Sequence, residues 1–248
     1  MFGVVLLSQF VGATIALVLA VLRSEPVPSS ADVGWAIAGG VAGSAGITSL
    51  YYGLATGRIA VVAPVTGVLA ATIPVVAGWI LQGTPSGLQF TGIGLAILAV
   101  VLVSMSTDPT GPRASGVRYG LVGGVGFGLF NVFASRFAQG SVFGPLVIVR
   151  AFEAISVVLF VMGTRRAWRL PRSVLLLAIA VGVGDMAGNG FFILAAQAGR
   201  LDIAGVLSSL YPVTTIVLAT LILHERVTRQ HALGIGFAIA AIALIAGG

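Results

Sequence analysis

Read along the chain, apolar residues come in long unbroken runs separated by short polar connections. The runs do not alternate with a period of two, so the strands of a membrane barrel are excluded. Each run is long enough for a helix across the hydrocarbon core, which takes about 20 residues. Nine runs follow one another, at 2–22, 33–55, 60–82, 87–106, 117–138, 144–164, 174–198, 202–224 and 230–247. The connections hold the helix breakers, as in Arg23-Ser24-Glu25-Pro26, Gly83-Thr84-Pro85-Ser86 and Asp108-Pro109-Thr110-Gly111-Pro112-Arg113. This pattern predicts an all-α polytopic membrane protein with nine transmembrane helices.

Composition agrees with that reading. The chain is 58% hydrophobic and 8% charged, more apolar surface than a soluble core of 248 residues can hide. A net charge of +6 would suit nucleic acid, but the arginines sit mostly in connections between apolar runs, where topology signals and lipid headgroups place them. No nucleic-acid partner is therefore expected. The absence of cysteine excludes disulfides and thiolate metal sites. The first segment is apolar immediately after Met1 and lacks the basic start of a signal peptide, so it reads as a span.

The chain also repeats at an offset of 142 residues. Residues 36–46 read AIAGGVAGSAG and residues 178–188 read AIAVGVGDMAG. The same offset aligns Gly57-Arg58 with Gly199-Arg200, and GIGLAI at 92–97 with GIGFAI at 234–239. Two similar halves of a membrane chain are a mark of secondary transporters. Five helices separate equivalent points, an odd number, so the second half is expected to insert upside down. The arginines agree: the connection after the sixth span holds Arg165, Arg166, Arg169 and Arg172, and its equivalent holds only Arg23. The halves are expected at 1–106 and 117–248, with 107–116 as linker. The fifth span has no mate in the first half, so either the chain starts one helix late, which is the favoured reading, or it works with nine.

Ser208-Ser209-Leu210-Tyr211-Pro212, then His224-Glu225-Arg226-Val227, Gln230 and the Gly234-Ile235-Gly236 start of the last helix follow one another in order. In this order, length and repeat the chain resembles the EamA family of the drug/metabolite transporter superfamily, lacking the first of ten helices. It departs from the family pattern at His224, where glycine is usual, and at Gln82-Gly83-Thr84-Pro85, where the first half would carry an acidic connection. The resemblance implies a basket of helices around a central cavity, lined here by spans two, three, five, seven and eight. It implies export or exchange of small metabolites, often amino acids, without an ATP-binding domain. Arginine counts place the connections after spans two, four, six and eight inside, which puts the C-terminus outside, whereas the resemblance implies both termini of the ten-helix form inside.

An ionisable residue inside the bilayer is a functional hypothesis by default. Asp185 lies near the middle of the seventh span; its repeat equivalent is Gly43. It reads as a proton-coupling carboxylate, as a contact for a substrate amine, or as a structural acid paired with an arginine. Arg150 and Glu153 are three apart on the sixth span and share a helix face, which predicts an intramembrane ion pair, with Arg150 reaching toward the interface. A substrate-carboxylate role for Arg150 is the other reading. Asn131 and Asn189 are further polar candidates, as substrate contacts or as glue between helices. Ser208, Ser209 and Tyr211 flank Pro212, which frees a backbone carbonyl and suits a binding site or gate. Thr48 and Tyr51 are candidates on the second span, Tyr51 also as an interfacial residue, and Pro64 and Pro74 are candidate kinks in the third. The spacings Gly39/Gly43, Gly120/Gly124, Gly184/Gly188 and Gly236/Ala240 predict close helix approach. The glycine-rich run 123–128 lies inside an apolar span without a flanking lysine or strand, so it is not a phosphate loop.

Neither a metalloprotease motif nor a nucleophile–base pair is present, so no enzyme, cofactor or metal is expected. The expected function is secondary active transport of a small polar metabolite by alternating access across the cell's inner membrane, with proton coupling as an option. The alternative is a non-transporting scaffold or an inactive truncated paralogue. The expected partners are the small-molecule substrate and the lipid bilayer, with a homodimer left open.

Overall fold

The computed structural model describes residues 2–56, 59–104, 116–164, 170–210 and 229–247. Every regular element among them is a helix: α1 (Phe2–Leu22), α2 (Ser30–Thr56), α3 (Ile59–Gln82), α4 (Gly87–Ser104), α5 (Val117–Ala134), α6 (Phe143–Thr164), α7 (Leu175–Ala198), α8 (Leu201–Ser208) and α9 (Arg229–Ala246). Six of these are long and apolar enough to cross a membrane, and two shorter apolar stretches, Gly87–Leu102 and Ala232–Ile245, lie in α4 and α9. The span expected over 202–224 is described only as far as Leu210, so Tyr211, Pro212 and His224 lie outside the described residues, as does most of the expected linker.

One boundary differs from the sequence reading. The fifth span was expected to reach residue 138, but α5 ends at Ala134. The Ser135 hydroxyl donates to the Val132 carbonyl at 2.7 Å, and the Arg136 and Phe137 amides reach back only three residues. The next amide, Ala138, donates to the Asp32 carboxylate at 2.7 Å instead of to the helix.

The helices form two compact units, one of residues 1–45 and 130–198, the other of 46–129 and 199–248. Each takes a part of both sequence halves. In the first, α1 packs on α6 and α7. Gly182 of α7 makes this possible, because a Cβ there would run into the Ser8 backbone of α1. The connections at one end are tied by acids and amides. Glu25 Oε2 accepts the first amides of α6, from Val142 (3.1 Å), Phe143 (2.8 Å) and Gly144 (3.0 Å). A carboxylate there meets both the unpaired N–H groups and the positive end of the helix dipole. Asp32 exchanges hydrogen bonds with Ser29, closing a capping box on α2. The Gln197 amide donates to the Ala138 and Ser141 carbonyls.

In the second unit, α3, α4, α8 and α9 share an apolar core that includes Val75, Ile93, Val100, Val206 and Ala241. The α5 glycines 120, 124 and 128 receive Val65, Leu69 and Ile73 of α3, one side chain per turn. Gln82, at the end of α3, accepts the Leu201 amide at the start of α8 (2.8 Å), and the Pro74 ring lies against Gly205. Gln230, at the start of α9, donates to the Leu102 carbonyl at the end of α4 (2.9 Å).

The repeat assigns α1 to α6, α3 to α8 and α4 to α9, and each of these pairs packs together. In each pair the end of the first helix meets the start of its mate, through Glu25, Gln82 and Gln230, so the mates run antiparallel. The outer surface is apolar: Leu176 is 79% exposed and Ile80 78%. Such faces are stable against lipid and costly in water, and the chain is an integral multi-pass membrane protein. Two of the four glycine spacings do pack, but nothing lies within 4 Å of where a Cβ would stand on Gly184, Gly188 or Gly236.

Candidate functional site

Inside the first unit, α1, α6 and α7 bring together Gln9, Arg150, Glu153, Asp185 and Asn189. Helical spacing places Arg150 and Glu153 one turn apart on α6, and Asp185 and Asn189 one turn apart on α7. Arg150 Nη1 lies 2.8 Å from Glu153 Oε2 and 2.7 Å from Asp185 Oδ2, and donates to Gln9 Oε1 at 2.9 Å. Asn189 Nδ2 donates to the other Asp185 oxygen at 3.3 Å. The Arg150 side chain is 2% exposed and that of Glu153 7%, whereas that of Asp185 is 39% exposed. Arg150 therefore does not reach toward the interface, as its position near the start of the span suggested; two carboxylates hold it among the helices.

Two glycines make room for the charges. A Cβ on Gly43 would overlap Glu153, and one on Gly12 would lie 3.3 Å from Arg150 Nε. Gly43 is the repeat equivalent of Asp185. The two positions thus meet the same ion cluster, one with a carboxylate and the other with empty space.

The hydrogen-bond inventory of the cluster is uneven. An arginine carries five N–H donors, two of them on each terminal nitrogen. All three acceptors crowd onto Nη1, while Nε and Nη2 are buried without a partner among the described residues. Two hydrogens cannot fully serve three acceptors. The composition is uneven too: one guanidinium faces two carboxyl groups, and only Asp185 of the three is substantially exposed.

The remaining candidates are placed elsewhere. Asn131 is half-buried on α5, in the same unit as the cluster. Thr48 and Tyr51 are half-buried on α2, in the second unit, where Tyr52 pairs with Tyr119 at 5.2 Å between ring centroids. Ser208 is exposed at the end of α8; Ser209 is buried, its hydroxyl donating to the Val206 carbonyl at 2.7 Å. Pro74 is buried, and α3 stays helical through both Pro64 and Pro74. Among the described residues no group of three His, Cys, Asp or Glu side chains could hold a metal ion. Sequence reasoning passed over Gln9, although a lone amide deep in an apolar span is the same signal that singled out Asn131. It also passed over Gly12, which carries no chemistry of its own.

A solved crystal structure, titled only "Crystal structure of protein", is similar in fold, with a TM-score of 0.76 over 98% of this chain and 86% of that one at 17% identity. No curated protein sequence matches the chain. The EamA-like transporter family matches residues 114–247, which contain four of the five residues of the cluster. That match covers more than half of the chain, points to a transporter rather than an enzyme, and shows that the chain belongs to the EamA-like transporter family, within the drug/metabolite transporter superfamily.

Proposed function

We propose that this chain is a secondary active transporter that exports a small, polar, amino-acid-like metabolite across the cell's inner membrane by alternating access, with Asp185 as the coupling residue. The observation that carries this reading is the Asp185 carboxylate, within an apolar helix yet partly exposed, and tied to a buried arginine. An ionised group at that depth is costly unless it has a task. The antiparallel packing of α1 on α6, α3 on α8 and α4 on α9 supports an inverted repeat, the architecture that lets two halves rock around a central site. The lone pairs of Asp185 are only partly engaged, so the carboxylate can take up a proton or a substrate ammonium and give it back.

The test is counterflow in proteoliposomes, with a mixed pool of labelled amino acids and small metabolites, with and without a pH gradient. Saturable accumulation that depends on the gradient, and that loses this dependence in Asp185→Asn, is the expected outcome. Flux in Asp185→Asn with unchanged pH dependence would remove the coupling role from Asp185.

A further inference from the structure

We propose that the cluster accepts a cationic group, a primary ammonium or a guanidinium, on Asp185, and that Arg150 is the resident cation this group displaces. The inference rests on the transporter reading above and narrows its substrate class.

Three observations lead to it. First, with both carboxyl groups ionised the cluster sets one positive group against two negative ones. Gln9 from α1 and Gly43 from α2 add no charge, so a single positive charge would make the site neutral. A neutral site is far easier to bury than a charged one. Second, Asp185 is the open member. Its side chain is 39% exposed while Glu153 and Arg150 are sealed, so an incoming group meets Asp185 before the other two. Asn189 donates to Oδ1, which keeps the carboxylate oriented and leaves Oδ2, the oxygen now facing Arg150, as the place of exchange.

Third, Arg150 has somewhere to go. Its Nε and Nη2 groups are buried and unpartnered, although guanidinium–carboxylate pairs are strongest as a two-pronged fork. A turn of the guanidinium toward Glu153 would convert the present single-nitrogen contact into such a fork. Gly43 leaves the second Glu153 oxygen its space, and Gly12 leaves the Nε side of the arginine uncrowded. Arg150 is thus shared between two seats, one on its own helix and one on α7. A cation taking the α7 seat neutralises Asp185, restores a complete ion pair on α6 and breaks the only ion pair between these two helices among the described residues. Occupancy of the site and contact between α6 and α7 are then linked, as an alternating-access cycle requires.

The reading makes a signed prediction that a structural ion cluster would not. Removing the competitor should strengthen cation binding, and removing the alternative seat should weaken it. Purified protein would be treated with a hydrophobic carbodiimide, and modification of Asp185 quantified by peptide mass spectrometry, at constant ionic strength, against guanidinium chloride or sodium methanesulfonate. Guanidinium is expected to protect Asp185 saturably and severalfold, and methanesulfonate not at all. Arg150→Gln should lower the guanidinium concentration needed for half protection severalfold, and Glu153→Gln should raise it. If Arg150→Gln does not fold, the wild-type selectivity and Glu153→Gln still decide. Equal protection by methanesulfonate, no protection by guanidinium, or shifts of the same sign in both variants, would overturn the proposal. Counterflow with the same preparation separates the two readings: flux restricted to neutral or anionic solutes sinks the cation site and leaves the transporter, while cation protection without any flux leaves the site and sinks the transporter.

Discussion

Arg200 and Arg150 each meet a carboxylate in this fold, and they do so in contrasting ways. Arg200 uses all three nitrogens. Nε and Nη2 grip the two oxygens of the wholly buried Asp202 at 3.0 and 2.8 Å, and the terminal nitrogens also donate to the Gln82 and Gly83 carbonyls at the end of α3. Arg150 brings one nitrogen to three acceptors and leaves two nitrogens idle. The difference separates two uses of an arginine–carboxylate pair, one at a connection between helices and one among the helices themselves. A saturated arginine fixes the α7–α8 connection to the end of α3 and has no idle nitrogen to bring to another partner. An unsaturated one has a second arrangement within reach, and only such a group can respond to a ligand.

The largest effect that would sharpen this contrast lies in the two acids. Asp202→Asn removes the charge partner of Arg200 from a carboxylate with no exposure, and should cost about 1.5–3 kcal/mol in unfolding free energy, the order of charge-assisted hydrogen bonds, because the Arg200 side chain is 25% exposed and is not left as a buried charge. Asp185→Asn should cost about 1 kcal/mol or less, because Asp185 is partly exposed and Arg150 keeps Glu153. Transport should rank the other way, abolished or uncoupled in Asp185→Asn and proportional to the folded fraction in Asp202→Asn. Unfolding curves in detergent together with counterflow would check both. Equal destabilisation by the two substitutions would erase the distinction.

A smaller effect is expected at the glycines. Gly43→Ala places a methyl group onto Glu153, and overpacking of this kind costs about 1–3 kcal/mol. Gly184→Ala, immediately before Asp185 and with nothing within 4 Å, should leave thermal stability unchanged or slightly raised, since alanine is the better helix former. Thermal unfolding of the two variants side by side reads the difference directly.

The smallest effect concerns the end clamps. Glu25→Gln keeps a carbonyl acceptor for the α6 amides but loses the charge at the helix start, worth about 0.3–1 kcal/mol. Gln82→Glu adds a charge at the corresponding place on α8 and should gain a similar amount. Hydrogen exchange at residues 142–144 and at Leu201 would follow each change locally; a change spread over the whole helix instead would show that the clamps hold more than helix ends.

Much of this architecture was legible in the residues. The apolar runs place α1 to α4, α6, α7 and α9 to within a few residues, because the length of a span is set by the thickness of the hydrocarbon core. The end of α5 was not legible, since it depends on Asp32, more than a hundred residues away, taking the Ala138 amide. The i, i+3 pairing of Arg150 with Glu153 followed from helix geometry alone. The glycine spacings were read too generously: 120/124 on α5 seats side chains of α3, whereas Gly184 and Gly188 meet nothing, and the spacing by itself does not tell these cases apart.

By itself, then, the sequence determined a bundle of membrane helices, a repeat at 142 residues and a short list of charges too expensive to be idle. Only the tertiary structure decided that Arg150 of α6 lies between Glu153 and Asp185 of α7, that Gln9 of α1 joins them, and that Gly43 keeps the space open. The physical reason is the bilayer. In water the apolar stripe of a helix points to its neighbours, but in lipid the packed face and the outer face are both apolar, so helix periodicity names which residues share a face without naming what that face meets.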